Sequence, residues 1–137
     1  MADLRQLTVP GEYEYIRQVC DFVVNGAGLS GDLAFQVRLA CDEACTNIIE
    51  HAYGGEEKGD ISVTWEVQNQ ELIIIFGDTG KPFKPAAVPG PGIPNPEDFR
   101  DLKVGGLGLH IIRQVMDEVA FTFSDNGNKL RLSKHLA

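Results

Sequence analysis

The 137-residue chain carries 12 Lys+Arg against 20 Asp+Glu, for a formal net charge of -8, and is 43% hydrophobic and 23% charged. That length suits one compact domain with a worthwhile core, while the negative field excludes a general role in gripping nucleic-acid phosphates. No segment is apolar for long enough to span a bilayer, and Cys20, Cys41 and Cys45, an odd number without a second pair at zinc-ligand spacing, exclude a disulfide framework and a structural metal.

Met1 to Thr8 lacks a basic cluster followed by an apolar run, so no secretory signal is read there and cytoplasm is the expected location. Leu4 to Thr8 reads as a short edge strand, ended by Pro10-Gly11. Tyr15, Ile16, Cys20, Phe22 and Val23 recur at helical spacing, and Asn25-Gly26 closes this first helix. Ser30 is a fitting N-cap for a longer helix with Leu33, Val37, Ala40, Cys41, Ala44, Cys45, Ile48 and Ala52 on its apolar face. It is expected to run to about Tyr53, where Gly54-Gly55 stops it, and to bury the Cys41 and Cys45 thiols as core groups.

Ile61, Val63, Trp65 and Val67 alternate with Ser62, Thr64 and Glu66, the pattern of a strand with one buried face. After a turn at Gln68 to Gln70, the apolar run Leu72 to Phe76 reads as a central strand paired antiparallel with the first and closed by Gly77. Six prolines between Pro82 and Pro96, with Gly90 and Gly92 among them, exclude regular structure there. Leu109, Ile112, Val115 and Met116 indicate a third helix. Val119 to Phe123 and Lys129 to His135 read as a hairpin joined by Asp125-Asn126-Gly127-Asn128. The predicted fold is α+β: a two-layer sandwich whose mostly antiparallel mixed sheet is covered on one face by helices.

Three segments carry candidate chemistry. In Asp42-Glu43-Ala44-Cys45-Thr46-Asn47, Glu43 and Asn47 lie one helical turn apart and share a face. A carboxylate there can accept a proton, and a neutral amide oxygen can join phosphate oxygens and water around magnesium. Gly77-Asp78-Thr79-Gly80 follows the apolar strand, so Asp78 can accept the exocyclic amine of adenine while Gly80 admits close approach of a flat ring. A single Asp-Thr-Gly in so short a chain argues against an aspartic protease. Val104-Gly105-Gly106-Leu107-Gly108-Leu109 opens the third helix, where free N–H groups and the positive end of the dipole suit phosphate. It is neither a Walker A loop nor a complete dinucleotide fingerprint. Each segment alone also has a plain reading, as a solvated helix face, a strand exit and a helix-entry turn.

In order and spacing the trio resembles the asparagine box and the two glycine boxes of the GHKL ATPase superfamily, which shares the Bergerat ATP-binding fold. The likeness runs from Asp32 to Leu136, and Asn47 to Tyr53 together with Gly105 to Val119 resemble the anti-sigma-factor serine kinases of the RsbW and SpoIIAB group. The resemblance implies one ATP-binding domain over residues 1–137, with Glu43 as catalytic base and Asn47 as the ligand of Mg2+. It further implies that Asp78 contacts adenine and that Gly80, Gly105, Gly106, Leu107, Gly108 and Leu109 border the nucleotide. The implied activity is ATP-dependent serine-protein kinase and anti-sigma factor in a partner-switching system. The implied partners are a STAS-domain anti-anti-sigma protein, a sigma factor or other signalling protein, and a second copy of the chain in a homodimer.

Lying between the adenine and phosphate segments, residues 82–104 are expected to form an ATP lid. The kinase resemblance suggests a basic residue just before Gly105, where this chain has Val104, with Lys103 and Arg100 as possible substitutes. Three alternatives stand beside the kinase of an anti-sigma switch. They are a non-catalytic ATP-binding regulatory module, a kinase of a STAS protein that controls a non-sigma output, and the detached ATPase half of a two-component kinase.

Overall fold

The structure, a computed structural model, describes residues 5–81, 106–124 and 126–136. In chain order these form β1 (Arg5–Pro10), a 3-10 turn (Tyr13–Tyr15), α1 (Ile16–Val24) and α2 (Gly31–Asn47). A π-helical turn (Ile48–Ala52), β2 (Asp60–Gln68), β3 (Glu71–Asp78), α3 (Gly106–Val115), β4 (Glu118–Ser124) and β5 (Gly127–His135) follow. The expected lid, with Val104 and Gly105, lies outside the described residues. The strands form one sheet in the order β1-β2-β3-β5-β4, and all four pairings are antiparallel.

Because a pleated strand sends successive side chains to opposite faces, register decides what is buried. Leu7, Val63, Phe76, Leu130 and Phe121 stand in one row across the five strands, and Trp65, Ile74, Leu132 and Val119 stand in the next. These rows meet Val19, Val23, Val37, Ala40, Cys41 and Ala44 of α1 and α2 in a single core. On the other face, the row Thr64, Ile75, Arg131 and Ala120 keeps contact with solvent. The apolar run Leu72 to Phe76 is thus central but covered on one face only: Leu72, Ile74 and Phe76 are buried, whereas Ile73 and Ile75 are half-buried.

The helices form the second layer, with α2 in contact with both α1 and α3. Ser30 occupies the N-cap of α2 in an extended conformation, but its hydroxyl makes no capping bond. All three thiols are buried, and burial pushes the Cys20 thiol up to about 12. At the far end of the layer, Lys134 of β5 donates from Nζ to the carbonyl of Val115 at 2.7 Å, a cation placed at the negative end of α3.

Two local features differ from the sequence reading. The second helix does not continue as α-helix to Tyr53. Its last turn widens after Asn47, and the Tyr53 N–H donates to the Ile48 carbonyl at 3.0 Å, five residues back. The β2–β3 link is a two-residue turn in which Asn69 and Gln70 have φ of 52° and 64°, the positive values that a hairpin of this hand requires.

The register predicts unequal costs for neighbouring substitutions. Ile74→Ala should cost about 2–5 kcal/mol by opening a cavity under the sheet, and Ile73→Ala distinctly less. Urea unfolding of both variants checks this, and equal losses would contradict the burial of a single face.

Candidate functional site

Asp78 is the last residue of β3 and sits on the core-facing side of the sheet, directly opposite Asn128 of β5. A buried carboxylate needs donors, and Asp78 has two. The Asn128 amide donates to its Oδ1 at 2.8 Å, and the Gly80 N–H donates to the same oxygen at 2.8 Å. Burial raises its pKa above the usual carboxylate value, against the pull of those two donors. The same Asn128 amide also reaches the Lys81 carbonyl at 3.0 Å, which folds the chain after β3 back over the strand end.

Across from this pair, the end of α2 brings in Asn47, which is buried, 4% exposed. Ala44, Asn47 and Ile48 form one wall of a narrow cleft, and Phe76, Asp78, Phe121, Asn128 and Leu130 form the other. The space it encloses is about 10 Å³, room for about one water molecule. Two amide atoms on opposite walls, Asn47 Nδ2 and Asn128 Oδ1, are buried without a hydrogen-bond partner among the described residues. Orphaned polar atoms of this kind are costly unless something supplies the missing bonds. Apolar walls, one carboxylate and two unmet amides suit a flat heteroaromatic ring with a polar edge.

Among the expected site residues, Asn47 and Asp78 are thus brought together in one cleft. Gly80 lies beside it, and its need for glycine is explained by Ala52: a Cβ on Gly80 would collide with the Ala52 carbonyl, which accepts the Lys81 N–H at 2.8 Å. Glu43 is half-buried on α2, one turn before Asn47, and does not line the cleft. Its pKa is raised by burial first, then by Asp42 and Glu50. Gly106, Leu107, Gly108 and Leu109 form the first turn of α3, and Gly105 falls outside the described residues. Of the flanking histidines, His110 is buried with Nε2 at 3.1 Å from the Gln114 amide. His51 lies 4.0 Å from Glu50, and burial lowers its pKa.

Asn128 was missed as a functional residue, being read as part of the Asp125 to Asn128 turn. It belongs to β5, because pairing continues through Asp78 and Asn128 to Gly127 and Ser124. A signal was available: counting back by two from Leu132 and Leu130 puts Asn128 on the buried face, where a polar residue is unusual. The adjoining Gly127, at φ 127°, is required because a Cβ there would run into the Asp78 carbonyl.

Residues 9–134 match the family of the Histidine kinase-like ATPase domain. The chain belongs to the histidine kinase-like ATPases. Within them it groups with the RsbW kinases: it is 33% identical to the serine-protein kinase RsbW of Bacillus velezensis, with 98% of this chain and 86% of the relative covered. The RsbW of Bacillus subtilis is 31% identical, with 98% and 87% covered. The fold of this ATPase is also that of the catalytic domain of histidine kinase ThkA, with a TM-score of 0.57 at 17% identity, 96% of this chain and 97% of that chain being covered. A blue-light activated histidine kinase of Erythrobacter litoralis gives a TM-score of 0.55 at 20% identity, with 93% and 42% covered.

The buried carboxylate of the ATPase has a consequence for pH. Asp78 binds its proton more tightly in the folded chain, so its contribution to stability is fully present below the unfolded value of 3.8 and is lost as pH rises through the raised pKa. Asp78→Asn keeps an acceptor for Asn128 and Gly80 without the charge. Its thermal midpoint relative to the parent should therefore climb as pH rises above the unfolded value of 3.8, and a difference that stays flat with pH would show that Asp78 is not strained by burial.

Proposed function

We propose that this histidine kinase-like ATPase is a magnesium-dependent serine-protein kinase that acts as an anti-sigma factor, phosphorylating a STAS-domain antagonist to reset a partner switch. The observation that carries this reading is the meeting of Asn47 and Asp78, from distant segments, in one cleft with unmet polar atoms. Opening of this narrow cleft would seat adenine with its ring between Phe76, Ile48 and Leu130 and its amine toward the free oxygen of Asp78. The Asn128 carbonyl oxygen is a second acceptor at the same edge. The start of α3, at Gly106 to Leu109, is the counterpart for the phosphates, with residues 82–104 as lid and Gly105 at its end.

The residues also fit the metal. Rotation of the Asn47 amide presents oxygen in place of nitrogen, and one neutral oxygen is enough where phosphates and water complete the shell. Bound there, magnesium supplies neutralisation of phosphate charge. Glu43, one turn earlier, takes the proton from the substrate serine hydroxyl, whose oxygen bonds to the γ-phosphorus as the bond to the β–γ bridging oxygen breaks and ADP leaves. Burial raises the pKa of Glu43, which makes it a stronger base than an exposed carboxylate. Among the described residues no helix is long and apolar enough to cross a membrane, and the reading places the kinase in the cytoplasm, as a homodimer. Its sequence relatives are themselves named serine-protein kinases.

One observation favours a second reading, a regulatory module that binds ATP without transferring phosphate. Val104 stands just before Gly105, where the kinase resemblance suggests a basic residue. Incubation with labelled ATP and a STAS-domain protein separates the two. Transfer to serine that disappears in Glu43→Ala is expected for the kinase, and ATP binding without transfer by the wild type would support the module. Asp78→Asn should weaken ATP binding by about 1–3 kcal/mol, because the adenine amine loses a charged acceptor. Equal affinities by calorimetry would reject Asp78 as the adenine contact.

A further inference from the structure

The chain after β3 is tied down from a side that the cleft does not explain. The hydroxyl of Tyr53 accepts the Thr79 N–H at 3.0 Å and donates to the Asp60 carbonyl. One oxygen therefore joins the exit of β3 to the start of β2, from a residue at the end of the π-helical turn. The Tyr53 ring has room because Gly59 lacks a side chain, since a Cβ there would collide with the ring, while a Cβ on Gly11 would stand at van der Waals distance from it. The position of Tyr53 is set by the wide turn itself, which its own N–H closes on Ile48 directly after Asn47.

The bonded N–H belongs to the peptide unit that follows Asp78. Holding the Thr79 N–H fixes the start of the Thr79-Gly80 segment, and with it the placement of the Gly80 N–H that donates to Asp78 Oδ1. Asp78 Oδ1 is taken by Asn128 and Gly80, and Oδ2 has no partner among the described residues. With the Gly80 donor displaced, the carboxylate turns about its Cβ–Cγ bond and that second oxygen moves toward the cleft or away from it. We infer that Tyr53 is a positioning residue for nucleotide recognition: through Thr79, its hydroxyl aims the Asp78 carboxylate at the base and couples that aim to the helix end carrying Asn47. This rests on the reading of Asp78 as the adenine contact.

Calorimetric titration of the full chain with Mg-ATP and Mg-ITP, whose base lacks the exocyclic amine, tests the assignment. Wild type, Tyr53→Phe, Asp78→Asn and the double variant are compared. Phenylalanine keeps the ring beside Gly11 and Gly59 and removes only the hydroxyl. The expected result is about fivefold weaker ATP binding in Tyr53→Phe, unchanged affinity for the inosine nucleotide, and no added loss in the double variant relative to Asp78→Asn. A loss shared equally by both nucleotides, or one that adds in full to that of Asp78→Asn, overturns the positioning role. If Asp78→Asn weakens ATP binding while Tyr53→Phe does not, the Tyr53 assignment alone falls. If Asp78→Asn binds ATP like the wild type, the adenine reading falls with it. Gly59→Ala pushes the ring aside with its hydroxyl intact and provides the same test, with the same expected pattern, should Tyr53→Phe fail to fold.

Discussion

A carboxylate on the core-facing row of a sheet can stay charged only if donors come to it, and the local structure around Asp78 follows from that requirement. Asn128 must stand opposite with its amide nitrogen turned inward, which leaves the amide oxygen unmet. The chain beyond β3 must fold back so that the Gly80 N–H reaches the same oxygen. Folding back brings Gly80 against Ala52 and Gly127 against the Asp78 carbonyl, and both contacts exclude a side chain. One ionised group thus determines two glycines, one asparagine and the path of the loop.

The surrounding architecture decides why such a group sits at this place. Along β3 the buried positions Leu72, Ile74 and Phe76 belong to a continuous core, and the next core-facing position is Asp78. The helix layer closes over the first three and parts from the sheet at the fourth, where Ala44, Asn47 and Ile48 form the opposite wall. The cleft is therefore the unfilled end of the hydrophobic core: its walls are apolar because they continue the packing, and its edge is polar because the packing stops there. A ring that completes the stack while satisfying the edge is the natural complement of this shape.

Much of this was legible beforehand. Alternation placed β2, helical spacing placed α2, and the order of all main elements followed from punctuation by glycine and proline. Asn47 and Asp78 stood out because their surroundings are recognisable over short distances: a polar pair one turn apart, and an acid at the end of an apolar run. Local alternation puts Asn128 on the buried face, but what it does there depends on a strand pairing with a residue fifty positions away. The widened turn after Asn47 was hidden for a related reason. Apolar residues at Ile48 and Ala52 fit an α-helix as well as a π turn, and the choice is made by tertiary contacts with the loop after β3. Tyr53 looked like a helix end and nothing more, since its partners, Thr79 just past β3 and Asp60 at the start of β2, are supplied by folding.

The wide turn lets the segment from Asn47 to Tyr53 carry one residue more than a regular helix would over the same span. About five residues of π-helix turn through nearly the angle that four cover in an α-helix, so Tyr53 leaves the helix on the side that a shorter, regular segment would also give it. A homologous chain lacking one residue of 49–52 would keep the phenol directed at the strands, so an alignment gap here marks a change of helix type and not the loss of the strut.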